Sequence, residues 1–520
     1  MTALARSLSA FASLLFLHSP WLGAAEETKT NDHPAWNQFR GPSGAGVAAN
    51  GDRPPLSPDT TTLAWKAPVP PGLSSPILAG LRVVLTGVEN GRLVTLAIDR
   101  KTGALAWRRE APEVPLERVH QTSSPAASTP TADAGKIFVY FGSFGLVCYN
   151  FEGAEVWRHP LPTPKSLYGL ATSPVVYKDS VILVLDSEEN LEGSTFSRSR
   201  LIALAKSNGE PLWETPRPLV RSGWSTPALW PRDGIHELVV LGTGRVTGYD
   251  PENGQERWHA TGFSQETIAQ PVIGNGLVFA SSSQIGGGAD ETIDPKPLWE
   301  SVLSFDTSGD GRLQREEMTG HFTFPLRPEL APGHPGYGIP LPSGPEARRN
   351  RLDGMFRSID ADQDGHWSRE EFATAVANRP GKPRLLAIRP GGSGDVTATH
   401  AAWELNRHIP EIPTPLFFDG RLYLMRNGGL LSCVDAPDGT VLYTERLDAP
   451  GQYSASPVAA DGHIFLVSNR GVLTVVKAGA TFERTHQHSL GEAALVTPAV
   501  DQNTLYVRTE GHLHAFRRSP

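Results

Sequence analysis

Two twelve-residue stretches carry oxygen-bearing side chains at a spacing suited to a hard cation. The first, DTSGDGRLQREE, covers residues 306–317; the second, DADQDGHWSREE, covers residues 360–371. Asp306, Ser308 and Asp310 stand at positions one, three and five of the first, and Asp360, Asp362 and Asp364 at the same positions of the second. Glu317 and Glu371 occupy position twelve, where each would supply two oxygens from an outgoing helix. Arg312 and His366, at position seven, would supply only backbone carbonyls. Calcium takes about six to eight oxygen ligands, and this spacing wraps them around one point. Gly311 and Gly365 allow the sharp turn at position six that a Cβ would resist. Two calcium sites are expected. The second has the carboxylates Asp360, Asp362, Asp364 and Glu371, whereas Ser308 replaces one in the first, so the second should bind more tightly.

Such loops need firm elements on either side. Leu352, Met355, Phe356 and Ile359 recur at helical spacing before the second loop, and Phe372, Ala375 and Val376 continue after it. Leu298, Val302, Leu303 and Phe305 do the same before the first. Leu313 and Trp367, both at position eight, sit where paired loops form a short antiparallel bridge. Loops and flanks together resemble a pair of EF-hands, a resemblance confined to residues 290–380 that implies calcium binding. Between the loops, the proline-rich run FPLRPELAPGHPGYGIPLPSGP reads as an extended connector.

Outside that stretch one unit recurs. It opens on a proline, usually after Ser or Thr, passes through a glycine turn into an apolar strand and ends in a Gly-x-x-x-Trp turn and strand. Clear endings lie at Trp107, Trp157, Trp213 and Trp258, with Tyr443 in the same place. The opening prolines are Pro76, Pro130, Pro174, Pro227, Pro271, Pro415, Pro457 and Pro498. Their spacing is 41 to 54 residues except for one interval of 144, which falls to 53 without residues 290–380. Short strands at this period predict a β-propeller of eight blades, all-β apart from a small helical insertion in the fifth repeat. The last repeat lacks its tryptophan, and the strand TLAWKAPV with Trp65 is expected to complete it and close the ring. The resulting organisation is a leader at 1–25, propeller at 36–289, the EF-hand pair at 290–380 and propeller again at 381–520.

The ending AIDRKTGALAW, with its A-x-D-x-x-T-G-x-x-x-W pattern, resembles the repeat of the pyrroloquinoline-quinone (PQQ) propeller superfamily. The opening WNQFRGPSGAG, residues 36–46, is similar to the start of exported PQQ-like propellers. The resemblance implies the quinoprotein-like fold but not the activity, because that fold serves both quinone dehydrogenases and scaffolds. Dehydrogenases of the superfamily hold the quinone on the axis, often against a disulfide between adjacent cysteines. Here the two cysteines, Cys148 and Cys433, are far apart in sequence and read as buried thiols. Cys-x-x-Cys-His, Gly-x-Ser-x-Gly, His-Glu-x-x-His and phosphate-loop patterns are missing from the sequence. The reading is therefore a calcium-binding, non-enzymatic scaffold without PQQ; a quinoprotein-type dehydrogenase is the alternative.

Composition bounds the rest. A net charge of -8 argues against nucleic acid as a partner. Arg6, an apolar run and the small residues Gly23, Ala24 and Ala25 predict a secretory signal, hence a periplasmic or secreted chain with no membrane span after cleavage. Loops leading to the opening prolines offer His120, Gln121, Tyr168, Arg221, Trp224, Gln265 and Tyr453, a mixture suited to a protein or carbohydrate ligand at the axis or face.

Overall fold

The computed structural model describes residues 36–166, 168–192, 196–221, 223–232, 234–264, 266–283, 295–325, 338–377 and 383–519; the expected leader at 1–25 lies outside them. Eight sheets of four antiparallel blade strands follow one another along the chain. Each innermost strand begins on the residue after an opening proline, at Ile77, Thr131, Val175, Ala228, Val272, Leu416, Val458 and Ala499. Proline fixes φ and lacks a donor, so it suits the lead-in to a strand better than its middle. The fold is an eight-bladed all-β propeller. Leu63–Pro68 pairs with His512–Arg517, Trp65 opposite Ala515, so the two ends of the described chain share the closing blade.

Burial along one blade explains its sequence. In the first, Ile77–Ala79 is wholly buried and Arg82–Glu89 has a continuous buried apolar centre, because both faces meet neighbouring blades. The outer strand Leu105–Glu110 buries only Trp107.

That tryptophan docks on the next blade. A Cβ added at Gly153 would lie 2.6 Å from the Trp107 ring, and Trp107 Nε1 donates to Phe151 O at 2.9 Å. Trp65 meets Gly103 and donates to Arg100 O; Trp157 meets Gly209 and donates to Lys206 O. Trp213 lies on Gly254 in the same manner. Trp403, with no glycine four residues before it, lies on Gly439 and donates to Ala436 O. Trp258 departs from the pattern, donating to Glu237 Oε2 within its own blade at 2.9 Å. There the outer edge is covered by Gly394–Asp395, which pairs in parallel with Glu256–Thr261.

Near the axis the residues before the prolines form a belt. Ser75 N–H donates to Thr129 Oγ1, Thr129 N–H to Ser173 Oγ and Ser173 N–H to Thr226 Oγ1, all at 2.9 to 3.1 Å. Gln270 N–H donates to Thr414 Oγ1, Thr414 N–H to Ser456 Oγ and Ser456 N–H to Thr497 Oγ1 at 3.0 Å. Each buried amide is thus satisfied by the next blade.

Residues 36–53 run as a strap past the inner strands in blade order. Trp36 O accepts from Leu78, Asn37 O from Ala132 and Gly46 O from Ala459, while Arg53 N–H donates to Gln502 O. Arg40 is fully buried, and its guanidinium donates to the carbonyls of Gly44, Ala45, Thr414 and Pro415.

The fifth blade pairs Leu277–Ser282 with Arg384–Ile388, Ser282 opposite Arg384. Between them lie the helices Pro295–Leu303, Pro345–Ile359 and Arg369–Ala377, with a core of their own that includes Trp299, Leu313, Phe356 and Trp367. Thr323–Pro325, where the expected extended connector begins, pairs antiparallel with Gly338–Pro340 inside it. No helix among the described residues is long and apolar enough to cross a membrane.

The indole contact can be weighed directly. Gly135 and Gly153 have positive φ of 78° and 83°, but a Cβ at Gly135 would meet nothing within 4 Å. Gly135→Ala is expected to cost about 1 kcal/mol of backbone strain, and Gly153→Ala about 1–3 kcal/mol more from the clash. Chemical denaturation of both variants measures the difference; equal losses would remove the docking contact from the argument.

Candidate metal centre

The helix Pro345–Ile359 leads into the second loop and buries Leu352, Met355, Phe356 and Ile359. Its last turn closes with Asp360 N–H donating to Phe356 O. Asp360 Oδ2 accepts from Gly365 N–H at 3.0 Å, and Oδ1 accepts from Asp364 N–H at 3.1 Å. Carboxylate oxygens of Asp360, Asp362 and Asp364 lie within 4.8 Å of one another, the one such group of three His, Cys, Asp or Glu among the described residues. From the outgoing helix Arg369–Ala377, Glu371 folds back over the loop. Its Oε1 accepts from the N–H groups of Ala361 and Asp362, and Oε2 from Ser368 N–H and Oγ–H.

The first loop has matching internal bonds. Asp306 Oδ2 accepts from Gly311 N–H at 2.9 Å; Oδ1 accepts from Gly309 N–H and Ser308 Oγ–H. Asp310 Oδ1 accepts from Arg312 N–H. Glu317 is buried, with Oε1 accepting from Thr307 and Ser308 and Oε2 from Gln314. One expectation needs correcting: Glu317 does not lie on an outgoing α-helix. It ends a single 3-10 turn, Arg315–Glu317, and the chain then enters Thr323–Pro325. Thr319 and Gly320 are poor helix formers, and Phe322 is buried in the module core instead.

The loops meet as expected. Leu313–Gln314 pairs antiparallel with His366–Trp367, Leu313 opposite Trp367. Trp367 is fully buried and stacks on Phe356 at 4.4 Å. Across the bridge Arg312 Nη1 lies 2.7 Å from Asp364 Oδ2, and the His366 ring contacts the Asp364 carbonyl. Hydrogen bonds from Gly311, Gln314 and His366 N–H hold Asp306, Glu317 and Asp364 respectively below the usual carboxylate range. At Glu371 burial pushes upward, but the bonds from Ser368, Asp362 and Ala361 outweigh it and the carboxyl is lowered. All four favour the ionised form that a cation needs.

The axial candidates are only partly brought together. His120 and Tyr168 meet edge to face at 5.1 Å, and Tyr168 and Trp224 at 5.2 Å. Gln121 is exposed and Arg221 half-buried beside Glu188 O. Tyr453 is fully buried, and Gln265 lies outside the described residues. A cavity of about 140 Å³ lies between the strap and blades three to five, walled by Phe39, Ser43, Thr226 and Gln270 and by none of those described candidates. Cys148 and Cys433 are free and buried, and burial pushes both thiols up, to about 12 and about 11.

Two acids, Asp186 buried and Glu117 half-buried, escaped the sequence reading, because only their surroundings single them out. Asp186 pairs with Arg217 at 3.1 Å, both inaccessible, and burial raises its carboxyl to about 6 against the pull of Arg217. Glu117 is raised by burial to about 7, opposed by a bond from Leu170 N–H. A carboxyl raised in the folded state keeps a proton that the unfolded chain releases, so its contribution is complete below 4.5 and is lost as pH climbs to about 7. The denaturation midpoint should fall over that window, and Glu117→Gln should flatten the fall. Parallel wild-type and variant curves would contradict the assignment.

Comparison with known proteins follows the geometry. The family model described as PQQ_2, outer membrane protein assembly factor BamB, matches residues 47–184, 97–308 and 361–519. No curated protein matches the chain. Among solved structures, a europium-containing methanol dehydrogenase is similar at 11% identity and TM-score 0.52, covering 94% of this chain and 99% of that one. Quinohemoprotein alcohol dehydrogenase ADHIIG from Pseudomonas putida HK5 is similar at 11% identity and TM-score 0.51, covering 93% and 80%. BamB from Moraxella catarrhalis aligns at 10% identity and TM-score 0.49, covering 88% and 97%. Such identities speak to fold alone, whereas the repeat model spans most of the sequence: the chain belongs to the PQQ_2 family of β-propellers.

Proposed function

We propose that this protein is an exported, calcium-binding propeller that works as a non-enzymatic binding scaffold, with calcium held by an EF-hand pair inserted in the fifth blade. The pairing of the two loops through Leu313 and Trp367 carries this reading, since it sets two oxygen-rich loops side by side. The residues present fit a hard cation: Asp360, Asp362 and Asp364 converge, and both position-twelve glutamates fold back over their loops. Asp306, Ser308 and Asp310, with the carbonyls of Arg312 and His366, complete the expected ligand sets. The bound ion would offset the carboxylate charge gathered in each loop. Family membership and the leader-like start support export.

A quinone on the axis is the less favoured reading. The strap crosses the inner strands, and the cavity beside it is about 140 Å³, close to the ~150 Å³ that accommodates a single benzene. Cys148 and Cys433 belong to different blades, in Gly145–Asn150 and Leu430–Asp435. A protein or carbohydrate partner is better matched to the face that presents His120 and Tyr168, with Trp224 buried behind Tyr168.

Calorimetry on the mature chain should show two calcium sites, at roughly 10⁻⁴–10⁻³ M or somewhat tighter. Glu371→Gln should weaken one of them about tenfold or more and spare the other. No heat at millimolar calcium would end the proposal.

Residues 290–380 are proposed to form a separable module, because their flanks meet at Ser282 and Arg384 and their core is distinct from the blade clusters. Replacing them with a short Gly/Ser linker should leave a folded protein with the circular dichroism of a β-propeller and no calcium heat. An unfolded product would show that the propeller needs the module.

A further inference from the structure

We propose that Arg312, in the first loop, sets the calcium affinity of the second loop by serving as an internal counter-cation on Asp364. The inference rests on the calcium reading above and adds a control built into it. At position seven, only the backbone carbonyl of Arg312 is wanted by its own loop. The side chain leaves that loop and places Nη1 2.7 Å from Asp364 Oδ2, at position five of the other. The placement is fixed locally: the two-residue bridge begins at Leu313, directly after Arg312, and its partner Trp367 is immobilised in the module core against Phe356. The charges facing the guanidinium are Asp364 first, then Asp362 and Asp310, so two of its three carboxylate neighbours belong to the converging group of the second loop. The remaining oxygen of Asp364 faces its own loop, accepting from His366 N–H with His366 Nδ1 3.4 Å away.

A cation entering the second loop must therefore take Asp364 from Arg312 or share it, with a fixed positive charge alongside. Carboxylate count alone ranks the second loop above the first. The guanidinium cancels one of those carboxylates and narrows the gap. Both partners are partly exposed, at 43% and 32%, so the effect is a few-fold and salt-dependent. By reciprocity, calcium in the second loop loosens the tie between the loops.

The test is calcium calorimetry on the full chain carrying Glu317→Gln, so that the remaining heat reports the second loop. In that background Arg312→Gln should tighten binding about two- to fivefold at low salt, with the gain shrinking as salt is added. Arg312→Lys, which keeps the charge, should return affinity toward that of the parent. Were Arg312 merely a strut, Arg312→Gln would weaken binding; that sign, an unchanged affinity, or equal behaviour of the Gln and Lys variants overturns the inference. Absence of calcium heat in the wild-type chain instead condemns the calcium reading itself, so the two failures are distinguishable.

Discussion

One contact recurs from blade to blade: an indole laid on a glycine of the next sheet. It asks two things of that glycine. The turn needs a positive φ, 76° at Gly103, and the ring needs the volume a Cβ would fill, 2.7 Å from the Trp65 ring at that same position. The indole N–H then donates to a carbonyl of the neighbouring blade, so an apolar area and a directional bond fix one sheet against the next. A propeller blade cannot bury both faces alone. The strength and angle of these joints decide whether the ring closes at eight, and Trp65 on Gly103 is the joint that closes it.

The axis is held by a different chemistry. Hydroxyls before the opening prolines accept amides from the preceding blade, and the strap then crosses the inner strands with Arg40 spread over four carbonyls. A charge buried without a carboxylate is tolerated when each donor has an acceptor, and hydrogen bonds to charged groups are the stronger kind. Outer joints and inner belt leave the turn between the second and third strands of a blade free of such duty. The insertion between Ser282 and Arg384 enters at such a turn, where those two residues pair directly at its base.

Much of this was legible in the sequence because it is local. Opening prolines located all eight innermost strands, since a residue without a donor suits the strand's start and a repeat shows where. The pairing of the two acidic loops was legible for the same reason, with acidic residues, turn glycine and bridge residue inside twelve positions. What was missed lies at long range or depends on burial. Arg40 contacts residues 374 and 375 positions away, so its run of glycines gave no sign of a strap. Trp403 follows no turn glycine of its own, yet sits on Gly439 as the others do. Glu117 and Asp186 are ordinary acids in sequence, and only the closed blades raise them. The helix expected after Glu317 shrank to one turn because Phe322 had a core to fill.

The paired loops show how the same physics separates shape from charge. Leu313 and Trp367 bury together and define the bridge, so the fold of the module draws on apolar area. With the scaffold fixed, the carboxylates are held ionised by backbone N–H groups inside each loop, most clearly at Asp306 and Asp364. Gathering like charges is costly unless something offsets them. In the first loop hydrogen bonds do most of this; in the second, with one more carboxylate, a guanidinium from the neighbour pairs directly with Asp364 and adds to them. The loop with the greater charge is thus the one that borrows a cation. On that account the bridge does more than orient two similar loops, because it brings the Arg312 guanidinium to Asp364, in the loop with more carboxylates.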